Sequence, residues 1–502
     1  AASAVHQHSC AAIAVEIEKG LEKLVSANYD IPERHRSVWA AFEHSWRLLS
    51  LEEQQSLSRL SVFRDGFDED AALQVTGSPS LVLMALVDKS LLRIDQDNRY
   101  DMHELVKHYA NVKLVKAAEL ESAQNAHLRY FLELAEQAEP NLYAAGQRQW
   151  LERLEDDHDN LRAALKWSIE NGDVEFSARL CSALSRFWGL RGYLDEGRQW
   201  LEQVITICAT GCGGASLQAK VLLGAGMLAW RQVEYHQAVD YMEKSLEFTR
   251  QLEDPAAISR VLQSLATTES ARGNFTRATA ILEELLDLDR ESGNQENLAY
   301  DLGSLADIAF QQGNYKPAKT LYEESLALHR ERSDKNSIAI CLHNLGEVYH
   351  QLGSDAYSLV LTEEAASLFR ELGVKQGLAV SLGNLGELAY LSGDTDRGEK
   401  LYREALSLQE ELGAKGDILS ILLIFARFAL KSGKTVRSVQ IYAAAQALGQ
   451  SNDVEFSQAQ KDEYEVNLAS ARMQMDPLAF FDAWTSGLAM NMDEAVVYAQ
   501  AE

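Results

Sequence analysis

Five glycines recur every 40 residues, and this interval restricts the folds that the chain can adopt. Seven residues before each glycine stands a small residue that follows an apolar one. A regular period of this length is the signature of a repeat protein, in which each unit buries its apolar face only against its neighbours. The glycines are Gly273, Gly313, Gly353, Gly393 and Gly433, and the pairs are Leu265-Ala266, Leu305-Ala306, Leu345-Gly346, Leu385-Gly386 and Phe425-Ala426.

Each repeat is predicted to be a pair of antiparallel helices, A and B. In one repeat, helix A is predicted at Ala379–Ser392 and helix B at Thr395–Leu412. Gly393 is expected to end helix A because the turn needs a positive φ, which glycine adopts without strain. The frame extends back to Ala225-Gly226 with Val233 at the turn, and more loosely to Leu184-Ser185 with Gly192. Aromatic side chains are expected to fill the space between neighbouring repeats: Phe275, Tyr315, Tyr322, Tyr402 and Tyr442.

These helix pairs resemble the tetratricopeptide repeat, whose usual period of about 34 residues would here be lengthened to 40. The resemblance covers residues of about 180–450 and implies a right-handed superhelix. One repeat departs from the pattern at Ser354-Asp355-Ala356-Tyr357, so a changed local geometry is expected there.

Composition excludes several classes of protein. The 502 residues are too many for one compact core, and only 6 of them are proline, which suits helices. The formal charge of −28 disfavours nucleic acid and anionic membranes as partners. The five cysteines show no disulfide framework, and no apolar run approaches the ~20 residues that cross a bilayer. A cytoplasmic protein is therefore expected, without direct nucleic-acid or membrane partners.

Residues 37–115 carry a different pattern. Helices are predicted at Ser37–Leu49, Glu52–Phe63, Asp68–Val75 and Ser80–Ser90, followed by two short strands at Leu91–Ile94 and Arg99–Met102. This order predicts a winged helix. Between residues 37 and 110 there are seven basic and twelve acidic residues. The domain is therefore interpreted as an internal packing module and not as a DNA-binding domain.

The same segment, with residues 150–167 and 480–499, resembles the STAND-class signalling ATPases of the NB-ARC type, found in bacterial transcription regulators with tetratricopeptide arms. The resemblance spans about 31–499. Met102-His103-Glu104 stands where that family has Met-His-Asp, which implies that His103 would contact an ADP phosphate, though only alongside an ATPase module. No GxxxxGK[ST] motif occurs in these 502 residues, so no cofactor is expected for this chain, and ADP or ATP belongs to the expected parent protein.

Metal-binding and catalytic sites are less favoured by the sequence. His103 and His108 are five residues apart, whereas a helical zinc pair needs four. His6, His8 and Cys10 are interpreted as a chance cluster or a remnant, and Cys208 and Cys212 as flanking a loop. No motif joins a nucleophile to a base, so the chain is not expected to be an enzyme.

The sequence thus predicts an all-α chain, a winged-helix domain followed by a tetratricopeptide-repeat superhelix. The predicted boundaries are 1–36 (linker or remnant of a preceding helical domain), 37–115 (winged helix), 116–210 (connector), 211–450 (repeats) and 451–502 (helical cap). The predicted function is to sense a protein, peptide or small effector in a concave groove and so control a nucleotide switch, with homo-oligomers on activation. The alternative is a structural arm for self-assembly without its own ligand.

Residues of helix A, one turn from the small packing positions, are predicted to line this groove. Asn344 and Asn384 occupy places from which tetratricopeptide proteins commonly hold a peptide backbone. The full set is Arg186, Trp230, Arg231, Arg260, Gln263, Tyr300, Asp307, Phe310, Gln311, His343, Asn344, Glu347, His350, Asn384, Glu387, Tyr390, Arg427 and Lys431.

Overall fold

The structure, a computed structural model, describes residues 38–143, 147–209, 214–452 and 454–501. The predictions for residues 1–36, including His6, His8 and Cys10, and for Cys212 lie outside these ranges. Within them the chain is all-α apart from one two-stranded sheet, as predicted. Its contacts form two compact units, unit 1 (residues 1–273) and unit 2 (residues 274–502). The boundaries predicted from sequence divide the chain by element type and stay predictions.

The described part of unit 1 starts with four helices, a hairpin and a fifth helix: α1 (Val38–Arg47), α2 (Leu51–Leu60), α3 (Glu69–Thr76), α4 (Ser80–Asp88), β1 (Arg93–Ile94), β2 (Tyr100–Asp101) and α5 (Glu104–Lys116). It continues with α6 (Leu120–Asn141), α7 (Gln147–Asp156), α8 (His158–Glu170), α9 (Val174–Arg191), α10 (Leu194–Cys208), α11 (Ala215–Arg231), α12 (Tyr235–Gln251) and α13 (Pro255–Ala271).

Unit 2 contains α14 (Phe275–Ser292), α15 (Gln295–Gln311), α16 (Tyr315–Glu331), α17 (Lys335–Gln351), α18 (Asp355–Leu372), α19 (Lys375–Leu391), α20 (Thr395–Leu412), α21 (Lys415–Lys431) and α22 (Thr435–Ser451). It ends with α23 (Gln458–Met473), α24 (Pro477–Leu488) and α25 (Met492–Gln500). The A helices of the sequence frame are α9, α11, α13, α15, α17, α19 and α21.

The predicted hairpin forms near the amino end of the described chain. Its strands are shorter than expected, with Arg93 opposite Asp101 and Ile94 opposite Tyr100 in antiparallel register. Phe67 adds an isolated bridge to Tyr100, and its ring stacks at 6.1 Å from the Tyr100 ring. The order of helices and hairpin is the one expected for a winged helix, which remains an interpretation of this region.

Glycines end the A helices as predicted. Gly273, Gly313, Gly353, Gly393 and Gly433 all have a φ between +73° and +91°. A second series of left-handed residues, also 40 apart, separates each repeat from the next: Glu253, Gly293, Ser333, Gly373 and Gly413. These two turns per repeat are short, so the helices fill almost the whole period.

The predicted start of helix A at Ala379 was four residues late, because α19 begins at Lys375. Gly377 lies inside this helix, two residues before the predicted start. A Cβ on Gly377 would lie 2.6 Å from the Phe369 ring, so glycine allows α19 to approach α18. The small residue of helix A lies where helix B approaches it, since a Cβ on Gly386 would lie 2.8 Å from the Tyr402 ring.

The irregular repeat keeps the helix positions of its neighbours. α16, α18, α20 and α22 begin at residues 315, 355, 395 and 435, so the expected change in geometry at Ser354–Tyr357 does not alter the period. Ser358 is 2% exposed where Ala318 is buried, and Tyr357 stacks 5.5 Å from the Tyr349 ring. A small hydroxyl thus fits the space that an alanine fills elsewhere.

One further property of the described helices concerns membranes. No single helix is both long and apolar enough to cross a bilayer; only the pair α3 and α4, bent by 106°, would meet the same length and composition together.

Candidate functional site

The A helices of unit 2 share a row of polar side chains that link each A helix to the next. Asn344 on α17 donates from Nδ2 to Asp307 Oδ1 on α15 at 3.3 Å and to the Tyr322 hydroxyl at 3.3 Å. The Tyr322 hydroxyl also donates to Asp307. Burial, with a contribution from the charge of Glu347, raises the pKa of Asp307, although the Tyr322 hydrogen bond opposes the shift. The carboxylate therefore lies in a poorly solvated position.

The same link recurs one repeat later. Asn384 on α19 donates from Nδ2 to Glu347 Oε1 on α17 at 2.9 Å. His343 Nδ1 lies 3.1 Å from the Ser381 hydroxyl, and its Nε2 lies 3.8 Å from Glu347 Oε1. Burial lowers the pKa of His343, so the neutral imidazole is favoured.

At the third position an arginine replaces the amide as donor. Arg427 on α21 donates to Glu387 Oε2 at 2.6 Å and to Glu463 Oε1 on α23 at 3.1 Å. The Tyr402 hydroxyl also donates to Glu387, at 3.1 Å. Glu387, Arg427 and Glu463 line a cavity of about 220 Å³ with Tyr442. We call Asp307, Asn344, Glu347, Asn384, Glu387 and Arg427 the polar ladder.

An aromatic and cationic cluster lies beside this end of the ladder. The Tyr390 ring lies 4.4 Å from the Arg427 guanidinium and 4.1 Å from Lys431 Nζ. It also packs 5.1 Å from the Phe428 ring. Among the described residues the buried Tyr390 hydroxyl has no hydrogen-bond partner. Tyr390 was expected to be a groove residue outside the packing, but its ring packs against α21.

The other predicted residues of unit 2 do not join the ladder. Tyr300 contacts Asp334 and Ser337, its hydroxyl lying 3.3 and 3.2 Å from their oxygens. Phe310 packs 5.5 Å from the Tyr315 ring, and His350 Nδ1 lies 2.8 Å from Asp355 Oδ1. Gln311 is exposed at the end of α15. These contacts join helices within and between repeats.

In unit 1 the predicted residues lie on α9, α11 and α13. Arg186 donates from Nε to Leu142 O at 2.9 Å, and its guanidinium lies 3.6 Å from the Tyr143 ring. Arg260 and Gln263 line a cavity of about 540 Å³. The side chain of Arg231 covers Gly189, and Trp230 is half-buried with its Nε1 unpartnered among the described residues.

His103 occupies the first position before α5. Its Nδ1 accepts a hydrogen bond from the Leu105 N–H at 3.2 Å, and the side chain is exposed. This contact caps the helix and gives His103 a structural role in the chain itself. Its contact with a nucleotide stays a prediction.

Sequence reasoning missed several contacting side chains. Tyr322 and Tyr402 were predicted to fill the space between neighbouring repeats. Their hydroxyls also donate hydrogen bonds to carboxylates of the polar ladder. Glu463 was assigned to the cap. The signal that could have found the ladder was present, since the acidic residues Asp307, Glu347 and Glu387 lie 40 residues apart.

Comparison with protein families identifies tetratricopeptide repeats in part of the chain. The tetratricopeptide repeat family matches residues 254–331, 296–371 and 337–411. Curated relatives named as HTH-type transcriptional regulators, from Mycobacterium bovis and Mycobacterium tuberculosis, are 31% identical over 270 residues, which is 49% of this chain and 30% of theirs. The chain thus spans less than a third of the length of these relatives. Residues 254–411 are tetratricopeptide repeats.

Solved structures of low sequence identity resemble the chain weakly. One is a Signal Transduction ATPase with Numerous Domains (STAND) protein with a tetratricopeptide repeat sensor from Pyrococcus horikoshii, with 16% identity, a TM-score of 0.45 and coverage of 92% of this chain and 67% of that one. Another is the apo quorum sensor NprR from B. thuringiensis, with 12% identity, a TM-score of 0.45 and coverage of 70% and 99%.

Proposed function

We propose that unit 2 binds a protein or peptide segment along the polar ladder and that this binding is the sensory step of a longer regulator. The observation that carries the proposal is the ladder itself. Three carboxylates, Asp307, Glu347 and Glu387, stand at the same position of successive A helices, and each accepts a hydrogen bond from the next repeat. A structural role in one repeat would not require an acidic group at this position in all three.

The ladder favours a partner that offers positive charge and hydrogen-bond donors. A carboxylate has about four acceptor sites, so those that the asparagines, Arg427 and the tyrosine hydroxyls leave unfilled can receive backbone N–H, lysine or arginine donors. The interhelical hydrogen bonds hold the side chains in place before binding, which lowers the entropy cost of ordering them. An extended basic segment that crosses several A helices would meet one carboxylate per repeat.

The regulatory part of the proposal is supported by the names of the curated relatives, which are transcriptional regulators of about three times the matched length. In the parent protein, occupancy of the ladder would bias a nucleotide-dependent switch, and His103 would contribute from the amino-terminal domain. A genomic sequence that continues this chain into a GxxxxGK[ST] module would support this role. A continuation without any such module would contradict it.

A peptide-display selection against the full chain tests the binding step. Selected peptides should bind with dissociation constants in the micromolar range or below, and the variant Asp307→Asn/Glu347→Gln/Glu387→Gln should weaken binding at least tenfold. The control, Glu283→Gln/Glu324→Gln/Glu331→Gln, removes three exposed carboxylates from α14 and α16 and should leave binding unchanged. A second control, Lys89→Gln/Arg93→Gln, alters the amino-terminal domain. Equal binding by the ladder variant, or a loss only in the second control, would overturn the assignment.

The alternative function is a self-assembly arm without its own ligand. Exposed apolar side chains on the last helices favour it, since Leu478 is 76% and Phe481 64% exposed. Analytical ultracentrifugation separates the two functions. Concentration-dependent oligomers that Leu478→Asp/Phe481→Asp abolishes, together with failure of the peptide selection, would establish the alternative.

A further inference from the structure

The A helices of unit 1 carry a charge opposite to that of the whole chain. α9, α11 and α13 contain six basic residues but only Glu175 and Glu269 as acids, and Glu269 is fully buried. α11 has no acidic residue at all. This excess of positive charge lies in a protein whose formal charge is −28, so it is a local feature and not a reflection of composition.

A cavity of about 540 Å³ opens among these three helices and the end of α6. Lys220 of α11 and Arg260 of α13 line it, and Ser182, Ser185 and Gly224 provide small or hydroxyl-bearing walls. A Cβ on Gly224 would lie 2.9 Å from Ser185 Cβ, so the glycine lets α11 approach α9 at this point. The volume falls within the range of about 300–1,000 Å³ that small-molecule sites occupy.

The two cations that line this cavity are available to a ligand. Among the described residues, neither Lys220 nor Arg260 takes part in an ion pair, and both side chains are exposed. Arg186 borders the site, held by Leu142 O and the Tyr143 ring. Glu139 contributes the single carboxylate of the lining, so the positive charges outnumber the negative ones.

We propose that this cavity, the Lys220–Arg260 pocket, binds a small anionic effector through a carboxylate or phosphate group. Two unpaired cations on neighbouring A helices attract one anion, and a charge-assisted hydrogen bond is about twice as strong as a neutral one. The hydroxyls of Ser182 and Ser185 and the amide of Gln263 offer further contacts, while Met227 and Leu223 accept an apolar portion. The proposal concerns unit 1 and stands independently of peptide binding to the polar ladder.

Isothermal titration calorimetry of the full chain tests the charge requirement. The probes are citrate and pyrophosphate, titrated at constant ionic strength set with chloride. We expect at least one probe to bind, and Lys220→Gln/Arg260→Gln to weaken that binding at least tenfold. Preference for citrate identifies a carboxylate ligand and preference for pyrophosphate a phosphate ligand. The control, Lys116→Gln/Lys244→Gln, removes two exposed cations of unit 1 from outside the pocket and should leave affinity unchanged.

A second variant tests the pocket itself without changing charge. Gln263→Trp keeps both cations but places a large side chain at an exposed lining position, so it should reduce binding by a similar factor while the helical circular dichroism stays unchanged. Binding of neither probe by the wild-type chain would overturn the proposal. Undiminished binding by the charge variant or by Gln263→Trp would overturn it as well, because the anion would then be held elsewhere.

Discussion

Val233 and Gly273 hold the same left-handed backbone conformation at equivalent turns, with φ of +65° and +82°. A β-branched residue is strained there because its Cβ approaches the following carbonyl, at a cost of about 1–2 kcal/mol. The Val233 side chain is 66% exposed and contributes little packing in return.

Val233→Gly is therefore expected to stabilise the protein by about 0.5–1 kcal/mol, after the greater backbone entropy of glycine in the unfolded chain is subtracted. Urea unfolding followed by circular dichroism measures the change. Val466→Gly provides the control, since Val466 is 69% exposed inside α23 and the same substitution should destabilise by about 1 kcal/mol. Destabilisation by Val233→Gly would show that the turn is not strained.

Gly393→Val is expected to act in the opposite direction. Gly393 has a φ of +91°, and a Cβ added to it would meet no atom within 4 Å, so the cost arises from the backbone and not from a clash. Unfolding should become easier by about 1 kcal/mol or more. Gly416→Ala, inside α21 with no contact closer than 3.9 Å, should be neutral or stabilising in the same assay. An unchanged midpoint for Gly393→Val would contradict the turn assignment.

Local sequence patterns predicted the fold well because each repeat contains its own turn glycine and its own pair of an apolar and a small residue. The glycine interval located the A–B turns, and the helix and hairpin order near the amino end followed from periodicity and turn residues. The second turn series is harder to read from the sequence than the first, because Glu253 and Ser333 adopt a positive φ without being glycine. Tertiary context fixes those two conformations, and a single sequence does not display it.

The candidate site was predicted less completely, because a helix position does not say which neighbour a side chain meets. Asn344 and Asn384 were expected to face a partner, and the structure shows that each already bonds to a carboxylate of the preceding repeat. The unit 1 pocket depends on Lys220, which the frame did not single out. Lys220 is recognised as a pocket residue only in the structure, where α11 and α13 line the same cavity.

We expect His127 to make unit 1 sensitive to acid. The side chain is 3% exposed, packs 4.5 Å from the Phe131 ring, and burial lowers its pKa to about 4. A base whose pKa is lower in the folded than in the unfolded state stabilises the fold fully above the unfolded value of 6.5, and this stability is lost as pH falls towards 4.

Between pH 7 and pH 5 this histidine should cost the wild-type chain about 2 kcal/mol of unfolding free energy. His127→Gln removes the titrating group and should lose correspondingly less stability over the same interval. Urea titrations of both proteins at the two pH values measure the difference, in which the contributions of other histidines cancel. Parallel losses in the two proteins would mean that His127 remains accessible to protons in the folded state.

The chain is expected not to bind ADP or ATP at micromolar concentrations by itself. It has no GxxxxGK[ST] motif, and the Nδ1 of His103 already accepts the Leu105 N–H. Calorimetry with Mg²⁺ and each nucleotide checks this expectation. Micromolar binding that His103→Ala removes would show instead that the amino-terminal domain holds a nucleotide on its own.

Asn384→Asp tests the polar ladder with almost no change in the size of the side chain. In place of an N–H donor, a second carboxylate would face Glu347 Oε1, which now lies 2.9 Å from Asn384 Nδ2. Loss of the hydrogen bond and repulsion between like charges should destabilise unit 2 by about 1–3 kcal/mol at pH 7. At pH 4.5 one of the two carboxylates takes up a proton and restores a donor, so the loss should shrink.

Gln311→Glu makes the same amide-to-acid change at an exposed position of α15 and should alter stability by only a few tenths of a kcal/mol at either pH. A pH-independent loss in Asn384→Asp would show that the amide acts through its shape, and equal losses in the two variants would show that the ladder contact contributes nothing.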